Sequence, residues 1–153
     1  MTAAEFTERI RQIRQLGYEL MAKHGLLGWN FGFNRRKRSM GLCLFHLRTI
    51  EVSVYLVLKN PHEEILDTIL HEIAHGLVGA GHGHDDVWKR KCVEIGARPI
   101  RCGDADMPLG RWQALCGQCG KSFHRHRRPK KMKGWFCGSC GPDKGNLVWN
   151  TGA

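Results

Sequence analysis

The stretch Leu70-His71-Glu72-Ile73-Ala74-His75 has the pattern H-E-x-x-H and is the strongest indication of fold and chemistry in the chain. On an α-helix, residues four apart lie on one face, about 5–6 Å apart at Cβ. His71 and His75 can therefore bind one zinc ion together. Glu72 lies about 100° further round the helix, where its carboxylate can act as a general base beside the metal.

The residues around this pattern predict a largely buried helix. Asn60 is placed to be its N-cap, Pro61 its first residue and Glu63 the partner of a capping box. A wide apolar stripe follows, formed by Ile65, Leu66, Ile69, Leu70, Ile73 and Leu77. Because unpaired buried polar groups are costly, the polar triplet on this helix needs a partner, and a metal ion supplies one.

Hydrophobic periodicity predicts the other elements of the first two-thirds of the chain. We expect helices over 4–24 and 86–95, strands over 29–33, 40–45 and 49–58, and a linker over 97–110. The basic run 35–38 is expected in the turn between the first two strands.

Length and composition limit the classes of protein. The chain has 153 residues, 42% of them hydrophobic, which suits one domain with a small appended module. No run of about 18 apolar residues is present, so we expect no transmembrane helix. Residues 1–6 do not have the pattern of a secretory signal, and we therefore expect a cytoplasmic location without membrane association.

The net charge of +10 is concentrated near the C-terminus. Residues 111–153 contain nine Lys or Arg and a single acidic residue, Asp143. An excess of positive charge in one segment indicates a polyanionic partner, most often nucleic acid. A solvated basic tail is the simpler alternative.

Two C-x-x-C pairs lie within this basic segment. Cys116 and Cys119 are separated by 17 residues from Cys137 and Cys140. That spacing is typical of a four-cysteine zinc site, in which thiolates fill the coordination sphere and the metal is structural. The total of seven cysteines, an odd number, argues against a disulfide framework and for a reducing compartment.

The segment between the two pairs combines basic and aromatic side chains, which suits phosphate contacts with base stacking. Such contacts are mostly to the backbone and imply no sequence specificity. The candidate nucleic-acid contacts are Arg125, Arg127, Arg128, Lys130, Lys131, Lys133 and Trp135. A charged hairpin without a partner is the alternative.

A catalytic zinc needs a third protein ligand. The metzincin pattern does not supply it, because Val78 and Gly81 stand at its glycine and third-histidine positions. The candidates are His82, His84 and Glu94, of which Glu94 is more simply explained as a surface residue. Spacing alone does not choose between the two histidines.

The segment Gly83-His84-Asp85-Asp86-Val87-Trp88-Lys89, following His71-Glu72-Ile73-Ala74-His75, resembles the SprT-like metalloproteases, relatives of the Spartan protease of DNA–protein crosslink repair. In that family the third ligand is a histidine four residues before an aromatic residue, which corresponds to His84 before Trp88. Many members end in a four-cysteine zinc ribbon similar to 112–150. The resemblance is strong over 60–95 and 112–150, and holds in outline elsewhere.

The resemblance implies an α+β, zincin-like SprT-type domain over 1–110, with a short antiparallel sheet and the H-E-x-x-H helix, and a zinc ribbon over 111–153. It implies a zinc metalloendopeptidase with one catalytic and one structural zinc. The expected substrates are proteins associated with DNA, in crosslink repair. If the protein is encoded by a bacterium or a phage, we expect it to be associated with the nucleoid. The alternatives are a non-catalytic, transcription-associated nucleic-acid-binding protein and a zinc hydrolase of non-protein substrates.

Overall fold

A computed structural model describes residues 1–152 and divides the chain into two units. The first unit is Met1–Met107, and the second begins at Pro108. The predicted boundary between residues 110 and 111 lies just after this division. Among the helices of residues 1–152, none combines the length and the hydropathy that crossing a bilayer requires.

The first unit contains one three-stranded sheet packed with helices. Its elements are α1 (Ala3–Lys23), β1 (Asn30–Asn34), β2 (Gly41–Leu44), β3 (Thr49–Ser53), α2 (Val54–Lys59), α3 (His62–Val78) and α4 (Asp86–Ile95). The strand order is β1-β3-β2, with β2 antiparallel and β1 parallel to β3. The predicted α+β class is confirmed, and the sheet is mixed where an antiparallel sheet was expected.

Helix α1 packs on strand β1 through a glycine. The helix begins with a capping box between Thr2 and Glu5, as [S/T]-x-x-E predicts. Its buried face includes Ile13 and Gly17. A Cβ atom at Gly17 would overlap the ring of Phe31, a residue that is itself buried. The glycine is therefore needed for the close approach of helix and sheet.

We expect Gly17→Ala to lower the free energy of unfolding by about 1–2 kcal/mol, because overpacking outweighs the helix propensity gained. The measurement is urea denaturation followed by the helical CD signal. Gln15→Ala, at an exposed position of the same helix, is the control and should change the stability by no more than about 0.5 kcal/mol. A Gly17→Ala variant as stable as the control would contradict the packing argument.

The strand predicted over 49–58 is half strand and half helix. Strand β3 ends at Ser53, whose hydroxyl accepts a hydrogen bond from the Tyr55 amide and caps α2. The consecutive residues Leu56 and Val57 are both fully buried. The prediction was wrong here because the β-branched and aromatic composition favoured a strand, whereas the serine cap begins a helix.

The predicted capping of α3 by Asn60 is also wrong. Pro61 occupies the N-cap and makes no side-chain capping bond. The Asn60 amide instead donates to the carbonyls of Leu56 (3.1 Å) and Asp106 (2.7 Å), and its oxygen accepts from the Asp106 amide (2.6 Å). Asn60 therefore joins the start of α3 to a segment 46 residues later.

The segment 97–107 belongs to the first unit, so it is not the linker that the sequence predicted. It has no regular secondary structure, but Ala97 is buried in the core and both Ala105 and Met107 pack against it. Gly96, with φ of 90°, ends α4 in the left-handed conformation and turns the chain into this segment. Its glycine and proline content indicated flexibility, whereas its alanine and methionine residues bury apolar surface.

Helix α3 is central to the core. Ile65, Ile69 and Ile73 repeat every four residues and are fully buried. They pack in one cluster with strand residues such as Ile50 and Val52. The sheet and the other helices cover this face of α3. The polar triplet of His71, Glu72 and His75 lies on the neighbouring face.

The second unit is small and consists of short strands around the four cysteines. Its elements are β4 (Trp112–Leu115), β5 (Ser122–Arg125), β6 (Trp135–Phe136), α5 (Gly141–Lys144), β7 (Asn146–Leu147) and β8 (Asn150–Thr151). They form sheets β5-β4-β8 and β6-β7. The buried cluster contains Ala114, Cys116, Cys137, Leu147 and Trp149. A unit with so few buried apolar residues is only weakly stabilised by its core, so it needs an additional cross-link to be stable.

Candidate metal centre

Three histidine side chains converge beside α3. The Nε2 atom of His84 lies 3.1 Å from that of His71 and 3.2 Å from that of His75. Zinc–nitrogen distances of about 2.0–2.1 Å in a tetrahedron place ligand nitrogens about 3.3–3.4 Å apart. The three side chains therefore fit one zinc ion, with the fourth position left for water or substrate.

Burial favours the neutral form of these histidines, which is the form that binds metal. It lowers the pKa of His71 and of His75 to about 4, and the neighbouring imidazoles add to the effect. Burial, followed by the charge of Arg101, also lowers the pKa of His84. The imidazoles are therefore neutral at pH 7, which is the form that binds metal.

Helix α4 brings His84 to the other two histidines. Gly79 ends α3 with φ of 93°, and Asp85 caps α4 by accepting a hydrogen bond from the Trp88 amide at 3.0 Å. The indole of Trp88 is fully buried and contacts all three imidazoles, with ring centroids 4.6–5.1 Å apart. Trp88 is thus the surface on which the three rings are oriented.

The other candidate ligands lie outside this group. The His82 ring binds the Asp85 carboxylate at 2.7 Å. Glu94 is exposed and pairs with Lys91 at 2.7 Å. The structure brings together His71, His75 and His84, and their role as ligands stays a prediction that metal analysis can test.

Glu72 is buried at the same place. Its side chain is 8% exposed and lines the cleft that contains the three histidines. Burial raises the pKa of Glu72 to about 8, and a cation beside the carboxylate would oppose this rise. Strand β2 approaches closely, since a Cβ atom at Gly41 would lie 2.7 Å from Glu72 Cγ and 2.8 Å from Oε1. Glycine at position 41 therefore leaves the space that the Glu72 carboxylate occupies.

We expect Gly41→Ala to lower peptide hydrolysis by at least about 10-fold, and to lower the free energy of unfolding by about 1–3 kcal/mol through overpacking. The methyl group would crowd the buried side chain of Glu72 and push its carboxylate out of place. Small misplacements of a residue with the predicted role of general base are costly. Gly32→Ala is the matched control, because the added Cβ at this strand position has only an ordinary contact with Glu51 at 3.7 Å. Equal activity of the two variants would show that Gly41 does not position Glu72.

The walls of the cleft come from two segments that flank α3. One wall comprises residues 38–42, at the start of β2, and the other residues 100–103. Arg98 fixes the second segment by donating to Asp67 (3.0 Å) and Glu64 (2.7 Å), both on α3. The sequence analysis missed this wall, since only the tertiary structure brings the segment back over the helix.

The four cysteines form a second, separate group. Their sulfur atoms all lie within 4.8 Å of one another, and Cys119 Sγ is 3.8 Å from Cys137 Sγ. Zinc–sulfur distances of about 2.3 Å in a tetrahedron give a sulfur separation of about 3.8 Å. Cys116 and Cys137 are fully buried. The group therefore fits a closed, structural zinc site.

All seven candidate nucleic-acid contacts are exposed in the second unit. Arg125 lies over the rings of Trp135 (5.0 Å) and Trp149 (5.9 Å). Trp112, which the sequence analysis missed, has the guanidinium groups of Arg111 and Arg128 within 5.8 Å of its ring. The signal that could have found Trp112 is its position directly after Arg111. Arginine beside tryptophan is an arrangement that single-stranded nucleic acids can contact.

Comparison with known proteins identifies the family of this chain. The profile of the SprT-like family matches residues 6–105, and the chain belongs to that family. A similar solved structure is the crystal structure of the metallopeptidase zymogen jannalysin from Methanocaldococcus jannaschii, at 19% sequence identity and a TM-score of 0.47. The match covers 55% of this chain and 89% of that one. Family membership and the three-histidine site support a zinc metalloprotease.

Proposed function

We propose that this protein is a zinc metalloendopeptidase of the H-E-x-x-H type that cleaves proteins associated with DNA, in the repair of DNA–protein crosslinks. The observation that carries the protease proposal is the burial of Glu72 beside the three grouped histidines in an open cleft. A site that only stabilises the fold has no need of a buried carboxylate at this point, since an unpaired buried charge is destabilising.

The residues of the chain have distinct roles in this proposal. His71, His75 and His84 would hold the zinc ion, which supplies Lewis acidity for the scissile carbonyl and lowers the pKa of water. The Glu72 carboxylate accepts a proton from the attacking water and then donates it to the leaving amine. Trp88 holds the three imidazoles in place from beneath.

Strand β2 provides a site for the substrate main chain. It is at the edge of the sheet order β1-β3-β2, so within residues 1–152 its outer side has no strand neighbour. Residues at its beginning line the cleft beside Glu72. An extended peptide can add to such an edge through main-chain hydrogen bonds, which suits a protease that acts on unfolded segments.

The basic second unit supports the association with DNA. Its exposed arginines and the exposed Trp135, together with the charge excess of residues 111–153, suit phosphate contacts and base stacking without sequence specificity. Cleavage would then depend on the substrate and the protease being bound to the same DNA, which raises their effective concentration.

We expect a protein crosslinked to single-stranded DNA to be cleaved faster than the same protein without DNA. The double variant Arg125→Gln/Arg128→Gln should weaken DNA binding and lower the salt slope of log affinity by about 0.7 per lost phosphate contact. It should also slow cleavage of the crosslinked substrate and leave hydrolysis of a short free peptide unchanged. DNA affinity by fluorescence anisotropy and cleavage on gels measure these effects.

The control for this experiment is Lys144→Gln, at an exposed position of α5 outside the candidate contacts. It should bind DNA and cleave the crosslinked substrate like the wild type. Cleavage that is the same with and without DNA would contradict the DNA proposal and leave the protease proposal standing.

A further inference from the structure

The segment 98–106, here called the wall segment, is held to the body of the first unit at both ends. At one end Arg98 donates its main-chain amide to Asp67 (2.8 Å), in addition to its side-chain bonds to Asp67 and Glu64. At the other end Asp106 exchanges two hydrogen bonds with Asn60. The residues between these attachments, 100–103, therefore have a defined place beside the metal centre.

The charged side chains of the cleft differ in how exposed they are to a substrate. Besides the buried Glu72, the carboxylates of the cleft are Glu64 and Asp67, which are 23% and 18% exposed at the side chain and are both bound by Arg98. Arg38 and Arg101, which line the same cleft, are exposed. Within residues 1–152, neither of these two arginines has a carboxylate within 4.0 Å. The free charges at the rim are therefore both positive.

Their positions place these charges near the reacting bond. Arg38 lines the cleft three residues before the edge strand that we propose binds the substrate main chain. Arg101 is in the wall segment and lines the same cleft as His84. A guanidinium group binds a carboxylate through two parallel hydrogen bonds, whereas it has no comparable contact with a neutral or cationic side chain.

We propose that the cleft selects peptides that carry a carboxylate next to the scissile bond, and that Arg38 and Arg101 bind this carboxylate. This inference rests on the proposed protease function and specifies its substrate class. The carboxylate can come from an aspartate or glutamate side chain, or from the C-terminus of the peptide. Both sources have the same chemistry, and the test below distinguishes them.

The test measures binding separately from catalysis. Fluorescent peptides with a central Glu, Gln or Lys, each with a free or an amidated C-terminus, are titrated with the zinc-loaded full-length Glu72→Gln variant. We expect the Glu peptide to bind about 10- to 100-fold more tightly than the Gln peptide, as is typical of charge-assisted hydrogen bonds. Tighter binding of the Glu than of the Gln peptide, when both are amidated, identifies a side-chain carboxylate. Weaker binding after amidation, whatever the central residue, identifies the C-terminus.

The arginines are tested in the same assay. Arg38→Gln and Arg101→Gln should each reduce the carboxylate preference, and the double variant should abolish it. Both positions are exposed, so folding and zinc content should be unchanged. Arg90→Gln, at an exposed position of α4 that does not line this cleft, is the matched control and should keep the preference.

Equal binding of all the peptides, whatever the central residue and the C-terminal group, would overturn the inference. A single-stranded oligonucleotide that binds through Arg38 and Arg101, with no carboxylate dependence among the peptides, would also overturn it and make the rim a phosphate site. If the peptides bind with the expected preference but the wild type hydrolyses none of them, the inference holds and the protease proposal fails.

Discussion

Replacing Glu72 with glutamine is expected to lower kcat for peptide hydrolysis by about 10²–10⁴-fold while the protein keeps its zinc. The amide has nearly the same size and shape as the carboxylate, so it should fit the buried position that Gly41 leaves open. It cannot accept a proton from the attacking water. The measurements are initial rates with a fluorogenic peptide, zinc content by atomic spectroscopy, and thermal unfolding by CD.

The matched control is Glu94→Gln, which makes the same chemical change at an exposed glutamate on α4. Glu94 pairs with Lys91 at the surface and is not part of the histidine group. This variant should have wild-type activity and zinc content. Undiminished hydrolysis by the Glu72→Gln variant would show that Glu72 is not the general base, and loss of zinc from it would give the residue a structural role instead.

Replacing Cys137 with serine is expected to remove the zinc of the second unit and unfold that unit. Cys137 is fully buried within the four-cysteine group. Structural zinc contributes about 10–16 kcal/mol to the folding of small zinc domains, more than the few buried apolar residues of this unit can replace. One measurement is the number of zinc ions per chain, which is expected to fall from two to one. The other is limited proteolysis, in which the second unit, beginning at Pro108, is expected to become susceptible to cleavage.

Cys102→Ser is the control for this prediction, since Cys102 is an exposed thiol outside the four-cysteine group. It should bind zinc in the second unit like the wild type and should resist proteolysis to the same extent. A Cys137→Ser variant that still binds two zinc ions and resists proteolysis would contradict a structural role for the four thiolates. Chelation of the wild type by EDTA should reproduce the unfolding.

Local signals predicted much of the first unit. Helix α1, expected over 4–24, is Ala3–Lys23, and helix α4, expected over 86–95, is Asp86–Ile95. Both have a regular apolar periodicity and are followed by a glycine within two residues, so neighbouring residues contain the necessary information. The same is true of the spacing within H-E-x-x-H and within each C-x-x-C pair, because both are set by the geometry of a single turn.

Predictions that depended on distant partners were less successful. Asn60 has the residue type of an N-cap, but its partner is the main chain of Asp106. The segment 97–107 has the composition of a linker, but it packs on the core and forms a wall of the cleft. The strand β1 was expected in an antiparallel sheet, but it runs parallel to β3, as strand order is not visible in local sequence.

By itself, the sequence determined the chemical types that this protein can use: imidazole groups one helical turn apart, a carboxylate beside them, and four thiolates in two pairs. The spacing of residues left His82, His84 and Glu94 open, and the family resemblance selected His84, which the tertiary structure brings to the other histidines. Only the tertiary structure placed Gly41 and Arg101 at the cleft. The physical reason is the distance along the sequence between the residues that interact. Ligand spacing within a turn follows from the backbone of one helix, whereas the cleft forms where segments distant in sequence pack against that helix.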